Sequence, residues 1–235
     1  DVDALWVVNP AGLTEENLYA IDQYILGGGK ALIMLDANVN LPVSEHRASD
    51  FSRILEGWGI TLPEGKVAAD KTNALHVQTE GQDSRLITYP NVTWIELDKD
   101  YLASDSVVTA SLEKLRFIES AENAPVVWHP LITTSPAAMT VDASNLEQEK
   151  AQLELYRNYV PDGKPLVLAA QINGIVNSAF DKDTLQEELK QSHLTTSTNP
   201  INVVLVADTD MLRDDFWVEK RELFGNNMVM PTADN

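Results

Sequence analysis

The stretch ALWVVNPAGLTEENLYAIDQYILGGGKALIMLD, residues 4–36, decides how the rest of the chain must be arranged. It opens with Ala4-Leu5-Trp6-Val7-Val8, a short apolar run closed by Asn9-Pro10, which suits a buried strand. Thr14 stands at a helix N-cap, with Glu15 and Glu16 in the first turn, where the helix dipole favours acids. Leu18, Ile21 and Ile25 share one helical face. Gly27-Gly28-Gly29 ends the helix, and Ala31-Leu32-Ile33-Met34-Leu35 is a second buried strand running out at Asp36. Two buried strands joined by a helix lie parallel, with a right-handed crossover.

Working outward, Ser49 and Asp50 cap a helix over residues 51–58 whose Phe51, Ile54, Leu55 and Trp58 fall on one side. Residues 67–97 change to short β-like pieces, 74–79, 85–89 and 92–97, separated by Gly81-Gln82-Asp83-Ser84 and Pro90-Asn91. A strand over 115–118 follows, then a helix over 144–159. Leu166 to Ile172 and Ile175 to Phe180 read as a β-hairpin turning at Asn173-Gly174, because a type I′ turn needs positive φ at both positions. After a helix over 184–192 comes a last buried strand, 202–207, then Asp208-Thr209-Asp210 and a helix through Phe224. The expectation is a single α/β domain over 1–235: a mostly parallel sheet with helices on both faces, flavodoxin-like or amidotransferase-like, with residues 67–159 as a β-rich insertion. The opening and closing residues suggest a fragment of a longer, membrane-anchored protein. The five tryptophans, Trp6, Trp58, Trp94, Trp128 and Trp217, read mainly as core.

Composition narrows the chemistry. With 36 acids against 17 bases the net charge is −19, which excludes phosphate-backbone binding and nucleic acid as a partner. The same charge argues against lying on an anionic membrane face. No uncharged run approaches the roughly 20 apolar residues of a membrane span, so the fragment is not expected to be embedded. The absence of cysteine removes disulfides, thiolate nucleophiles and Cys-ligated metals together.

Asp36, Asp208 and Asp210 fall just past the C-terminal ends of two expected central strands, where open parallel sheets bind ligands. They either gather a divalent cation, act as an acid/base pair in a metal-assisted hydrolase, or simply cap the following helix and loop. Gly27-Gly28-Gly29-Lys30 has the order of a helix C-cap and not of a phosphate loop, which follows a strand and opens a helix. The four histidines show no ligand spacing. Thr133-Thr134-Ser135 offers hydroxyls without a nucleophile elbow. Asn9, Asp36, Asn38, Thr134, Ser135, Asp208 and Asp210 are therefore the candidate ligand- or partner-binding residues. No catalytic residue, cofactor or resident metal is assigned, and the chain is expected not to be an enzyme. A small-molecule or glycan binder at the sheet edge is the alternative reading.

Four stretches, in order, carry a family resemblance. Residues 3–10 with Leu18-Tyr19-Ala20-Ile21-Asp22-Gln23-Tyr24-Ile25-Leu26-Gly27-Gly28-Gly29-Lys30 form the first. Pro130-Leu131-Ile132-Thr133-Thr134-Ser135-Pro136 is the second. Lys164-Pro165-Leu166-Val167-Leu168-Ala169-Ala170 with Gly174 and Ser178-Ala179-Phe180 is the third, and residues 204–210 with Phe216-Trp217 the fourth. Together they resemble the gliding-motility-type auxiliary component of bacterial ABC transporters. That resemblance implies a periplasmic domain held at the inner membrane by segments outside these residues, with the membrane subunits of an ABC transporter as partners and an unknown small-molecule ligand. It also implies a fold distantly like class I glutamine amidotransferase and intraflagellar-transport α/β domains. Amidotransferases use a nucleophilic Cys, which this chain lacks. The family supplies no established catalytic residues, and its usual Pro after the second-strand Asp is replaced here by Ala37.

Overall fold

A computed structural model describes residues 2–10, 12–35, 51–80, 86–97, 99–101, 110–113, 116–146, 151–209, 212, 218–223 and 226–231. Strand β1 (Ala4–Val8), helix α1 (Glu15–Leu26) and strand β2 (Lys30–Met34) form the expected unit. The Oγ1 of Thr14 accepts from Asn17 N at 3.2 Å, and Gly27 N closes on Gln23 O. β1 and β2 are parallel, with Ala4 opposite Lys30 and Val8 opposite Met34. The Tyr24 ring packs over Gly29, where a Cβ would lie 2.3 Å from it and turn the ring aside.

The remaining strands that complete this sheet are β9 (Val126–Thr133), β11 (Val167–Gly174) and β12 (Ile201–Val206), in the order β1-β2-β12-β11-β9. β12 runs parallel to β2, but β11 is antiparallel to both β12 and β9. The intervening elements are helix α2 (Ser52–Gly57) and strands β3 (Ile60–Thr61), β4 (Lys66–Asp70), β5 (Ala74–Glu80), β6 (Leu86–Leu97), β7 (Ala110–Glu113), β8 (Glu119–Ser120) and β10 (Ala138–Asp142). They build three small antiparallel sheets, β10-β4, β3-β8 and β5-β6-β7. Helices α3 (Ala151–Arg157) and α4 (Glu187–Lys190) are short, and strands β13 (Val218–Leu223) and β14 (Asn226–Pro231) pair as a hairpin.

The expectation of a mostly parallel, flavodoxin-like or amidotransferase-like sheet with helices on both faces is thus overturned. The architecture is sheet-rich, with one mixed sheet and several antiparallel ones. A parallel neighbour needs a crossover of a dozen or more residues, and α1 supplies it once; beyond β3 the described residues are mostly strand, interrupted by the short helices α3 and α4. Nor are both faces of the main sheet covered by helix. Leu18, Ile25 and Leu26 of α1 and Phe51, Ile54, Leu55 and Trp58 around α2 join one core with Val7, Ala31, Ile33, Ile172, Val203 and Leu205. The opposite face gathers Met34, Ala169 and Val206 with Leu32, Leu131, Ile132 and Val204, and among the described residues no helix contributes to it.

Three local expectations also change. Asn173-Gly174 is not a hairpin turn: β11 runs through both, pairing Asn173 with Asn202 and Gly174 with Ile201. Glycine is needed there because a Cβ would stand 2.7 Å from Pro125 O and 2.9 Å from Val126 Cα. Pro90-Asn91 does not break β6, because Pro90 lies where β6 pairs only with β5, and an unpaired side tolerates a missing N–H. Residues 218–223 are strand and not the end of a helix. Trp58 is core at 1% exposure, whereas Trp6 is 70% exposed.

Candidate functional site

The three parallel strands end at one edge of the main sheet, and the backbone ladder continues briefly past each. Asn9 N donates to Met34 O at 2.8 Å, Leu35 N to Val206 O at 2.9 Å, and Ala207 N to Leu168 O at 2.9 Å. Asn9 takes a positive φ of 39°, which Asn tolerates better than most residues. Asp208 follows β12 and is buried at 3% exposure. β9 runs in the same direction as β12, so Thr134 and Ser135 leave the sheet at this edge too. Asn9, Asp208, Thr134 and Ser135 therefore share a sheet edge, spread across strands spaced roughly 4.8 Å apart. Asp36, Asn38 and Asp210 lie outside the described residues. Among the described residues no group of three His, Cys, Asp or Glu is placed to hold a metal ion.

Thr134 and Ser135 are turned inward. Thr134 Oγ1 accepts from Leu166 N at 2.8 Å and lies 3.2 Å from Ser135 O, to which it donates. Ser135 donates its hydroxyl to Asp70 Oδ1 and its backbone N–H to Asp70 Oδ2, each at 2.7 Å. Asp70, at the end of β4, also accepts from Thr72 N at 2.9 Å, Asn73 N at 3.4 Å and Asn73 Nδ2 at 3.1 Å. Five donors surround a carboxylate with no exposed surface. Such a set satisfies a buried acid without a cationic partner. Beside it, the Tyr159 hydroxyl lies 2.7 Å from Ala137 O and 2.9 Å from Ala69 O and accepts from Lys71 N at 3.3 Å. Burial raises the pKa of that hydroxyl well above its ordinary value; the Lys71 N–H works the other way, while Asp70 and Asp162 add to the rise. Ser135 is 2% exposed and its hydroxyl is already given to the buried Asp70 carboxylate, so it is not presented to an outside reactant. The arrangement locks β4 to the turn after β9.

A second buried acid fastens α1. Asp22, 1% exposed, accepts from Ser178 Oγ at 2.7 Å, Ala179 N at 3.1 Å and Gln23 Nε2 at 2.9 Å. Gln23 brackets the backbone of Leu194, accepting its N–H at 2.7 Å and donating to its carbonyl at 3.1 Å. Tyr19 meets Phe180 edge-on with centroids 5.3 Å apart, and stacks on His193 at 5.8 Å. Its hydroxyl lies 3.3 Å from His193 Nδ1, and burial with Asp22 nearby raises the Tyr19 pKa. The Arg53 guanidinium lies 4.4 Å over the Phe180 ring, while its Nε donates to Ala179 O. Sequence reading missed both nodes as sites of buried polarity. Asp22 carried a signal: it falls four after Leu18 and three before Ile25, on the apolar face of the helix.

Among the described residues, a cleft of about 240 Å³ opens beside Leu35, just past the end of β2. Leu55, Ile60, Leu62 and Pro63 give it apolar walls, and Glu56, Glu64 and Arg116 supply charge. The Arg116 guanidinium donates to Leu62 O, holding it against the wall. Among the described residues that line the cleft, none is aromatic. Its volume sits below the range of most ligand pockets, so it suits a small molecule of a few heavy atoms.

A family model described as "ABC-type uncharacterized transport system" matches residues 1–235. No curated protein matches the chain. Among solved structures, the "mmIFT52 N-terminal domain" is 10% identical, with 92% of this chain and 69% of that one covered, at a TM-score of 0.42. A likeness at that level carries no argument about fold or function. Among the described residues, no helix is long and apolar enough to cross a membrane.

Proposed function

The chain belongs to the ABC-type uncharacterized transport system family, and from that premise we propose that it is a non-catalytic accessory domain of a bacterial ABC transporter. On this reading it works outside the cytoplasm, related to the gliding-motility auxiliary proteins, and is held at the inner membrane by segments beyond these residues. Its partners are the transporter's membrane subunits. The observation that supports the reading is where the polar residues of the shared stretches go. Asp22, Gln23, Ser178, Thr134 and Ser135 are all consumed by internal hydrogen bonds, so these stretches specify a shape. A shape held this way serves contact with other subunits. The test is purification of the full-length parent from detergent-solubilised membranes. The reading expects a nucleotide-binding subunit and a membrane subunit to accompany it in fixed ratio. Recovery of the parent alone, at several detergent strengths, would count against it.

The cleft at Leu35 favours a second reading, in which the domain binds a small solute for the transporter. A thermal-shift screen of small amines, amino acids and organic acids tests it. Stabilisation that survives Glu56→Ala and Glu64→Ala together would place the binding elsewhere.

A further inference from the structure

Lys71, the residue after the end of β4, has an exposed side chain. Its ammonium lies 4.4 Å from the centroid of the Tyr156 ring and 5.8 Å from that of Tyr159, both within cation–π range. In a chain with 36 acids against 17 bases a cation readily finds a carboxylate, and Arg53, Lys66 and Lys190 each have one. Among the described residues no carboxylate pairs with Lys71, and two ring faces hold its charge instead. The rings are fixed without the Lys71 side chain. Both pack against the cluster of Val67, Ala69, Val92 and Val141. The Tyr159 hydroxyl is pinned among Ala69 O, Ala137 O and the Lys71 backbone N–H. Asp70 and Asp162 make the place more electronegative, since both carboxylates act on that hydroxyl. The corner is therefore preformed, and its present occupant is tethered only by its own flexible stem.

We propose that the Tyr156–Tyr159 corner is a binding subsite for a quaternary ammonium group, with Lys71 as a built-in occupant that such a ligand displaces. A primary ammonium is compact and strongly hydrated, so part of what it gains over a ring it loses in water. A quaternary ammonium spreads the same charge over methyl surface, sheds little water and suits a ring face. Displacing Lys71 returns its long side chain to rotamer freedom in solvent, which favours the exchange. Two walls do not make a full cage, so the headgroup alone binds weakly, with a dissociation constant of about 10–50 mM. The corner shares no lining residue with the cleft at Leu35, and the proposal does not rest on the solute reading of that cleft. Free solutes and choline lipids both carry this headgroup.

Proton NMR of the Tyr156 and Tyr159 ring signals reads the corner directly, with tetramethylammonium chloride as the probe and equal sodium chloride as the blank. The parent chain should show saturable shifts. Lys71→Ala should bind the probe about three- to tenfold more tightly, because one ammonium–ring contact no longer competes. Tyr156→Leu, which keeps the apolar packing, should lose the effect, and neopentyl alcohol, of the same shape without charge, should produce none. Choline and phosphatidylcholine vesicles separate the two sources. Saturable shifts with choline and no sedimentation with vesicles assign a free solute; sedimentation that Tyr156→Leu abolishes assigns a lipid headgroup. Unshifted rings in Lys71→Ala at probe concentrations well above the expected range overturn the proposal, as does an affinity that Lys71→Ala leaves unchanged. So does an equal response to the neutral alcohol, or binding that persists in Tyr156→Leu.

Discussion

The Ser135 hydroxyl lies 2.7 Å from the Asp70 carboxylate across a sequence separation of 65 residues, and the Ser135 N–H reaches the other carboxylate oxygen at the same distance. One buried acid thus holds the end of β4 and the turn after β9 in a single geometry. Asp70→Ala leaves five donors facing an empty space. The expected loss is about 3–5 kcal/mol, a lowering of melting temperature by roughly 2–4 °C for each kcal/mol in a chain of this size. Ser135→Ala, which removes one donor and keeps its N–H bond, should cost about 1–2 kcal/mol. Calorimetric melts of the two variants check the order.

Asp22 and Ser178 form a second such pair, 2.7 Å apart. A double-mutant cycle on Asp22→Asn and Ser178→Ala should give a coupling of about 1–2 kcal/mol in denaturant unfolding. Simple additivity would show that the two side chains do not act as one unit.

Tyr159 predicts a dependence on alkaline pH. Below its ordinary value of 10.0, both folded and unfolded chains keep the phenolic proton, and its contribution to stability is complete. Above that, the unfolded chain ionises first while burial keeps the folded hydroxyl protonated. Stability therefore falls as pH rises and is lost as the folded hydroxyl itself ionises. Tyr159→Phe should cost about 1–2 kcal/mol near neutrality, and its gap from the parent should narrow between about pH 9 and about pH 11. A gap that stays constant over that range would contradict the assignment.

The contrast between two tryptophans is a packing test. Trp58 is 1% exposed in the core under α2, and Trp58→Ala should cost about 3–5 kcal/mol. Trp6→Ala should change monomer stability by no more than about 0.5 kcal/mol. Denaturant titrations at low protein concentration separate them.

Gly174 should not accept a side chain. Gly174→Ala forces a Cβ against Pro125 O and Val126 Cα and should cost about 1–3 kcal/mol. Had the glycine served a hairpin turn, the Asn173-Gly174 pair would tolerate other turn residues; exchange protection at residues 172–174 distinguishes the cases.

The first unit, β1-α1-β2, was legible because apolar period, cap and glycine stop agree over a contiguous segment. The return of β12 beside β2 was also legible as a buried strand, though its neighbour was not. What the sequence concealed was pairing between distant segments. The antiparallel direction of β11 leaves no mark on Val167–Gly174, and Asn173-Gly174 presents the same letters whether it turns or packs tightly. Thr134 and Ser135 were visible as hydroxyls at a strand end, but their partners, Asp70 and Leu166, are fixed only by tertiary contact. Asp22 was readable from its place among Leu18 and Ile25, had a polar residue on an apolar face been taken as a demand for buried donors.

β12 sits between β2 and β11, so on that side Lys30 finds its neighbour only at Asn202, and the centre of the sheet waits for a strand far along the chain. During synthesis, β2 must remain unmatched on that side until residues 201–206 have emerged. Pairings of such long range are slow to form, which gives any holding factor that binds extended apolar segments a long opportunity to engage residues 30–34.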